Sequence, residues 1–150
     1  MQRNEGNNSS LAGSGYVNGK MLSRYVTDLP AWDNFTVYFE HVIGEYCDPV
    51  KFSKLLGFIT AVIYDENPAI NVGGVIDTCH VYASGYNVSD YHNFNDIYKG
   101  KVLVHLNDSV HGFDSKIDRH AEFGTNTFTP ESLDEFINSI DAEDFIIELK

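Results

Sequence analysis

The sequence predicts an α/β fold, a partial (half) TIM barrel of about four βα units with parallel strands. Three observations predict it. Short aromatic or β-branched runs alternate with amphipathic segments. Asp48-Pro49 and Thr129-Pro130 pair a helix-capping residue with proline at the first helical position. Acidic or imidazole side chains recur where the strand-type runs end, the rim at which barrels and open α/β sheets gather reactive groups.

Taken in order, residues 1–15, MQRNEGNNSSLAGSG, hold too little apolar surface to offset chain entropy and are expected to form a disordered polar tail. Residues 16–150 are expected to form the barrel-like unit. Tyr16, Val17, Met21, Leu22, Tyr25 and Val26 lie near helical spacing and predict a short helix ending near Pro30. Phe35–Phe39 (FTVYF) reads as a buried strand that delivers Glu40 at its end. A helix is expected from Asp48-Pro49 to about Tyr64, and a second strand over Val72–Ile76 ends at Asp77. A short helix over 89–98 precedes a third strand, Lys101–Leu106 (KVLVHL), which carries His105. The Thr129-Pro130 helix should run to about Ile140, before a fourth strand, Phe145–Leu149 (FIIEL), carrying Glu148.

Composition narrows the class. With 43% hydrophobic residues, 10 Phe and 9 Tyr among 150 residues, the chain has material for one buried core. It has neither the run of about 18 apolar residues that a membrane span needs nor a secretory leader pattern, so an intracellular, cytoplasmic location and no membrane contact are expected. Its two cysteines, Cys47 and Cys79, fit small buried thiols better than a disulfide framework. A net charge of −12 argues against a broad surface for phosphate backbone. Carboxylates do belong in a site for divalent cations, because a bound metal supplies the positive charge that phosphate then meets.

Several segments carry metal-type chemistry. Asp77-Thr78-Cys79-His80 sets an imidazole three residues past a carboxylate as the chain leaves a strand, although Asp77 alone would serve equally as a helix cap. His105 lies in a strand, where a lone histidine is commonly an interior residue with its polar atoms satisfied. Asp118 and His120 flank Arg119, and i, i+2 alternation in extended backbone would point both the same way; the plainer alternative is a surface Asp–Arg pair.

Together, VGGVIDTCHVYASGYN at 72–87, VHLNDS at 104–109 and SKIDRHAEFG at 115–124 resemble, in order, the signature segments of the endonuclease IV family, also termed AP endonuclease family 2. FEHVIG at 39–44 resembles its earlier glutamate strand and Ile146-Ile147-Glu148 its last. The resemblance covers the C-terminal half of the family's eight-stranded barrel and implies a zinc-dependent AP endonuclease of base excision repair, hydrolysing the phosphodiester 5′ to an abasic site in DNA and leaving a 3′-hydroxyl. It implies up to three zinc ions. Glu40 would bridge two of them; Asp77, His105 and Glu148 would complete one of that pair; His80, Asp118 and His120 would hold the third. Glu148 and Glu40 are the expected catalytic groups, with Glu148 also orienting or deprotonating the attacking water. Arg119 is a candidate for contact with phosphate or for pairing with a carboxylate, and both cysteines are expected to be bystanders.

The family's first half supplies two further histidine ligands and many DNA-contacting loops; His41, His92 and His111 lie in no segment resembling it. The family usually has Asn where this chain has His41, and FGTNTF at 123–128 only partly supplies its glycine-rich stretch after the DRH element. A half-barrel presents an open sheet edge on each side, so association with a second copy or a separate N-terminal half-barrel is expected. Two other readings share the motifs: a metal-dependent sugar isomerase or epimerase of the same barrel class, and a non-catalytic metal-binding remnant.

Overall fold

A computed structural model describes residues 35–122, 124 and 127–148. The tail expected over 1–15 and the helix expected over 16–28 lie outside these residues. Four parallel strands form one sheet: β1 (Thr36–Glu40), β2 (Asn71–Asp77), β3 (Lys101–His105) and, last in sequence, β6 (Asp144–Ile146), in spatial order β1-β2-β3-β6. Helix α1 (Pro49–Glu66) links β1 to β2; α2 (Thr78–Ala83), a 3-10 turn over Val88–Tyr91 and α3 (Phe94–Ile97) link β2 to β3; α4 (Pro130–Ser139) precedes β6. Strands joined in sequence by helical crossovers are the βα arrangement that the apolar alternation predicted, as a partial barrel rather than a closed one.

Both proline-opened helices are capped as their sequences require. The Asp48 side chain accepts from the Lys51 amide at 2.8 Å, and Thr129 accepts from Ser132 N at 3.2 Å. Along α1, Phe52, Leu56 and Ile63 face inward with Ile59 half-buried between them, spacings of four, three and four that keep one helix face on the sheet. Fully burying a Phe or Leu side chain contributes roughly 1.5–3 kcal/mol. The helix-facing side chains of the sheet, Ile76, Val102 and Val104, join Phe52 and Leu56 in one core with Tyr91, Phe94 and Phe136. Close approach depends on Gly74, where an added Cβ would lie 2.6 Å from a Leu56 methyl.

On the opposite face Tyr38 crosses Gly73, whose absent Cβ would stand 2.4 Å from the ring, and its hydroxyl donates to the Glu143 carboxylate. Glu143 also pairs with Lys101 at 2.9 Å, tying the start of β3 to the approach of β6. A cleft of about 820 Å³, lined in part by Tyr64, Asn71, Tyr98 and Lys101, opens at this N-terminal end of the strands, away from the ligand-type residues.

Three elements differ from expectation. Residues 89–98 form two short helical turns rather than one helix, because Asn93 takes a left-handed conformation (φ 58) between them. The fourth strand ends at Ile146, where β3, its one ladder partner among the described residues, ends, so Glu148 follows the strand rather than lying in it. An antiparallel pair, β4 (Asp108–Ser109) with β5 (His120–Ala121), was not visible in the periodicity, since two-residue strands carry none.

Candidate metal centre

Asp77 ends β2 in extended conformation and begins α2. Its Oδ1 accepts from the His80 amide at 3.0 Å, so the carboxylate caps the short helix, while Oδ2 is left to face the sheet rim. Capping fixes the first turn of α2 and sets His80 at the same rim. The His80 ring is oriented from behind: Nδ1 lies 2.9 Å from the His41 carbonyl, an acceptor only, so Nδ1 carries the proton. Nε2 is thereby turned toward Asp118 Oδ2 at 3.1 Å.

Register pairs Asp77 directly with His105 at the end of β3. His105 Nδ1 stands 3.5 Å from Glu40 Oε1, 3.4 Å from Glu148 Oε1 and 3.8 Å from Asp77 Oδ2. The β4–β5 pair folds the following loop back so that His120 Nδ1 lies 3.2 Å from Glu148 Oε2, with Nε2 at 3.3 Å from Asp118 Oδ1 and 3.6 Å from Asp77 Oδ2. Each of the seven side chains singled out in the sequence, Glu40, Asp77, His80, His105, Asp118, His120 and Glu148, thus reaches one cluster. Asp118 precedes β5, so only His120 of the expected i, i+2 pair is in a strand; the loop brings both to His80 all the same.

The donor set fits a divalent cation. Ligand-type atoms within 4.8 Å of one another form the groups Asp77–His105–Glu148, His80–Asp118–His120 and Glu40–Asp77–His80. The first two groups share no residue. Buried His105 Nδ1 and His120 Nε2 make no hydrogen bond, and their carboxylate neighbours stand off at 3.3–3.8 Å, beyond the usual N–H···O length of about 2.9–3.0 Å. Mixed imidazole and carboxylate ligands are those that zinc takes in catalytic sites. A fourth grouping adds Cys79 to Asp77 and His120, and burial pushes that thiol up to about 11.

Electrostatics follow from the crowding. Burial raises the Asp77 carboxyl above its ordinary range. Burial opposes protonation of His80, but Asp77, Asp118, the His41 carbonyl and Glu40 outweigh it and raise its pKa. The adjacent Glu40 raises that of His105, set against burial and aided by Glu148 and Asp77. The carboxylates around His80 and His105 favour their protonated forms, so binding of a cation there would release protons.

Two supports were not singled out from the sequence. Asn107, buried, donates from Nδ2 to Asp77 Oδ2 at 2.6 Å and to Glu148 Oε2 at 3.1 Å, and its Oδ1 accepts from Glu148 N at 3.2 Å. It sits inside HLND, but its role depends on a carboxylate 41 residues away. Buried Asp108, next to it, accepts from the amides of Gly124 and Thr127 and holds the loop after the DRH element where a fuller glycine run was expected. Cys47 and Cys79 are free and buried, and Arg119 is exposed.

Comparisons with known proteins place the parallel βα sheet in a family. The pattern described as xylose isomerase-like TIM barrel, AP endonuclease family 2, fits residues 24–150. The chain belongs to that family. Among curated AP endonuclease relatives, a probable endonuclease 4 of Metamycoplasma arthritidis is 36% identical over 94 residues, 59% of this chain and 34% of that protein. One from Mesomycoplasma hyopneumoniae is 34% identical over 127 residues, 79% of this chain and 44% of that protein. The apurinic-apyrimidinic endonuclease 1 of Plasmodium falciparum is 34% identical over 92 residues, 55% of this chain and 15% of that protein. The chain therefore spans less than half the length of these relatives. No solved structure matches significantly. His41 is buried, with Nδ1 3.2 Å from Cys47 Sγ, and burial pushes its pKa down to about 3, so it is neutral. Its backbone carbonyl is the one that orients His80.

Proposed function

We propose that this chain carries the zinc-holding portion of an AP endonuclease that hydrolyses the phosphodiester 5′ to abasic sites in DNA. The observation that carries the reading is the convergence of seven ligand-type side chains, from three strand ends, a helix turn, the start of β5 with the loop before it, and the segment after β6, into one cluster with unbonded imidazole nitrogens. Asp77, His105 and Glu148 would hold one ion, and His80, Asp118 and His120 another, with Glu40 reaching toward both. When bound, zinc supplies Lewis acidity toward phosphate oxygens and makes a hydroxide nucleophile accessible near neutral pH.

The chain's own residues supply positioning and proton handling. Glu148 is the least buried of the strand-end carboxylates, with its side chain 42% exposed, so it can meet a water entering from solvent and accept its proton. The His41 carbonyl and Asn107 hold imidazole and carboxylates in place while this occurs.

Incubation with zinc and duplex DNA bearing one abasic site tests the activity. Incision 5′ to the lesion with a 3′-hydroxyl is expected. No incision, alone or with an N-terminal half-barrel supplied, rejects the reading. Among the described residues β1 and β6 each pair on one side only, which supports association with a second copy or a separate half-barrel. Sedimentation should then show a complex, and a stable, well-folded monomer would count against it.

A further inference from the structure

We propose that Asn107 is a positioning residue that holds Asp77 and Glu148 together as ligands of one ion; the inference rests on the zinc reading above. The two carboxylates, one at the end of β2 and one beyond the end of β6, repel one another when ionised, and each then accepts but cannot donate. Asn107 Nδ2 supplies a donor to both, at 2.6 Å to Asp77 Oδ2 and 3.1 Å to Glu148 Oε2. The orientation of the amide is dictated rather than free. The Glu148 backbone N–H, 3.2 Å away, can only donate and so claims Oδ1.

The residue is fixed from below as well. Its amide donates to Thr78 Oγ1 at 2.9 Å, and the same hydroxyl donates to the Asn107 carbonyl at 2.6 Å. Thr78 follows Asp77 in sequence, so the strand end bearing one carboxylate carries the lock for the clamp that grips the other. A hydroxyl has a single donor and reaches less far, and a carboxylate would set a third negative charge between the first two. Glu148, beyond the end of β6, has no ladder pairing among the described residues, so the clamp replaces the strand as its anchor.

The test uses Asn107→Leu, which keeps the branched outline and removes the hydrogen bonds, beside Asn95→Leu. Asn95 makes a similar amide contact to the Asp141 backbone at 2.9 Å, at the far end of the sheet. Zinc uptake by the full chain is measured against a chromogenic chelator, with cobalt absorption reporting coordination. Asn107→Leu should weaken one of two ions about 10–100-fold and change its cobalt spectrum, leaving the other ion unmoved. Asn95→Leu should alter neither. Equal weakening of both ions, or of none, overturns the proposal. If the native chain takes up no zinc, the zinc reading fails and this one with it. Amide exchange in the metal-free chain gives an independent readout. Glu148 N–H should be protected in the native chain and lose protection in Asn107→Leu, while Glu143 N–H, bonded to Val102 at 2.8 Å, keeps it. An unprotected native Glu148 amide would show that the clamp is not formed.

Discussion

Asp77 shows why a single residue is hard to read from sequence. Helix cap and metal ligand were competing readings of one carboxylate, and its two oxygens divide the work: Oδ1 caps α2 and Oδ2 faces the imidazoles. The seven clustered side chains were legible as candidates because each is a residue type that metals require, standing at or near a strand end or in a recognisable segment. Asn107 was not legible. An asparagine has many ordinary uses, and only folding brings Glu148 to it. Glu148 is also where the proposed chemistry is most open to test at this scale. Glu148→Gln keeps the size and an acceptor for Asn107 but cannot take a proton. Abasic-site incision should fall about 10²–10⁴-fold while His80, Asp118 and His120 still take up zinc, as assays of cleavage and metal content would show.

At the level of elements, proline and capping residues fixed helix starts well, because cap chemistry is local. Asp48→Ala should cost about 1 kcal/mol, measured by urea denaturation. Strand existence was legible from aromatic and β-branched runs, but strand ends were not, since ladder length depends on the neighbour. The loop before β5 was also opaque. Asp114 and Lys116 both take left-handed conformations, and their amides bond the Tyr82 and Ala83 carbonyls at the end of α2, while Lys116 Nζ bonds Ser84 O at 2.7 Å. These contacts cap a helix C-terminus and join His80 mechanically to Asp118 and His120. Gly85 permits them: its φ is +84, and an added Cβ would stand 2.4 Å from Asp114 Oδ1. Gly85→Ala should cost roughly 1–3 kcal/mol and weaken the ion assigned to His80, Asp118 and His120 first, in the same urea and zinc measurements.

For the whole molecule, the half-barrel followed from counting βα units, and a net charge of −12 remains the feature least suited to DNA. Described residues include no helix long and apolar enough to cross a membrane. The core also predicts a pH dependence. Burial pushes the Cys47 and Cys79 thiols up to about 11 and raises the Tyr91 and Tyr98 phenols above their ordinary value. In the unfolded chain thiols ionise near about 8.5 and phenols near about 10, so their contribution is intact below about pH 8.5. It is lost as pH rises through the folded values. Urea midpoints should therefore fall steadily above about pH 8.5, and Tyr98→Phe should flatten the decline only above about pH 10. A midpoint unchanged between about pH 8 and 11 would contradict the burial described.

The division of the ligands into two groups with no residue in common has a kinetic side. Asp77 and His105 are rooted in paired strands, whereas His80, Asp118 and His120 ride on a six-residue helix and the loop docked against its end. Short helices and loops open far more often than sheet interiors. Two bound ions would then differ in residence time even at equal affinity, the loop-held one exchanging with solution on the timescale of local opening and the strand-held one lasting until the sheet itself comes apart.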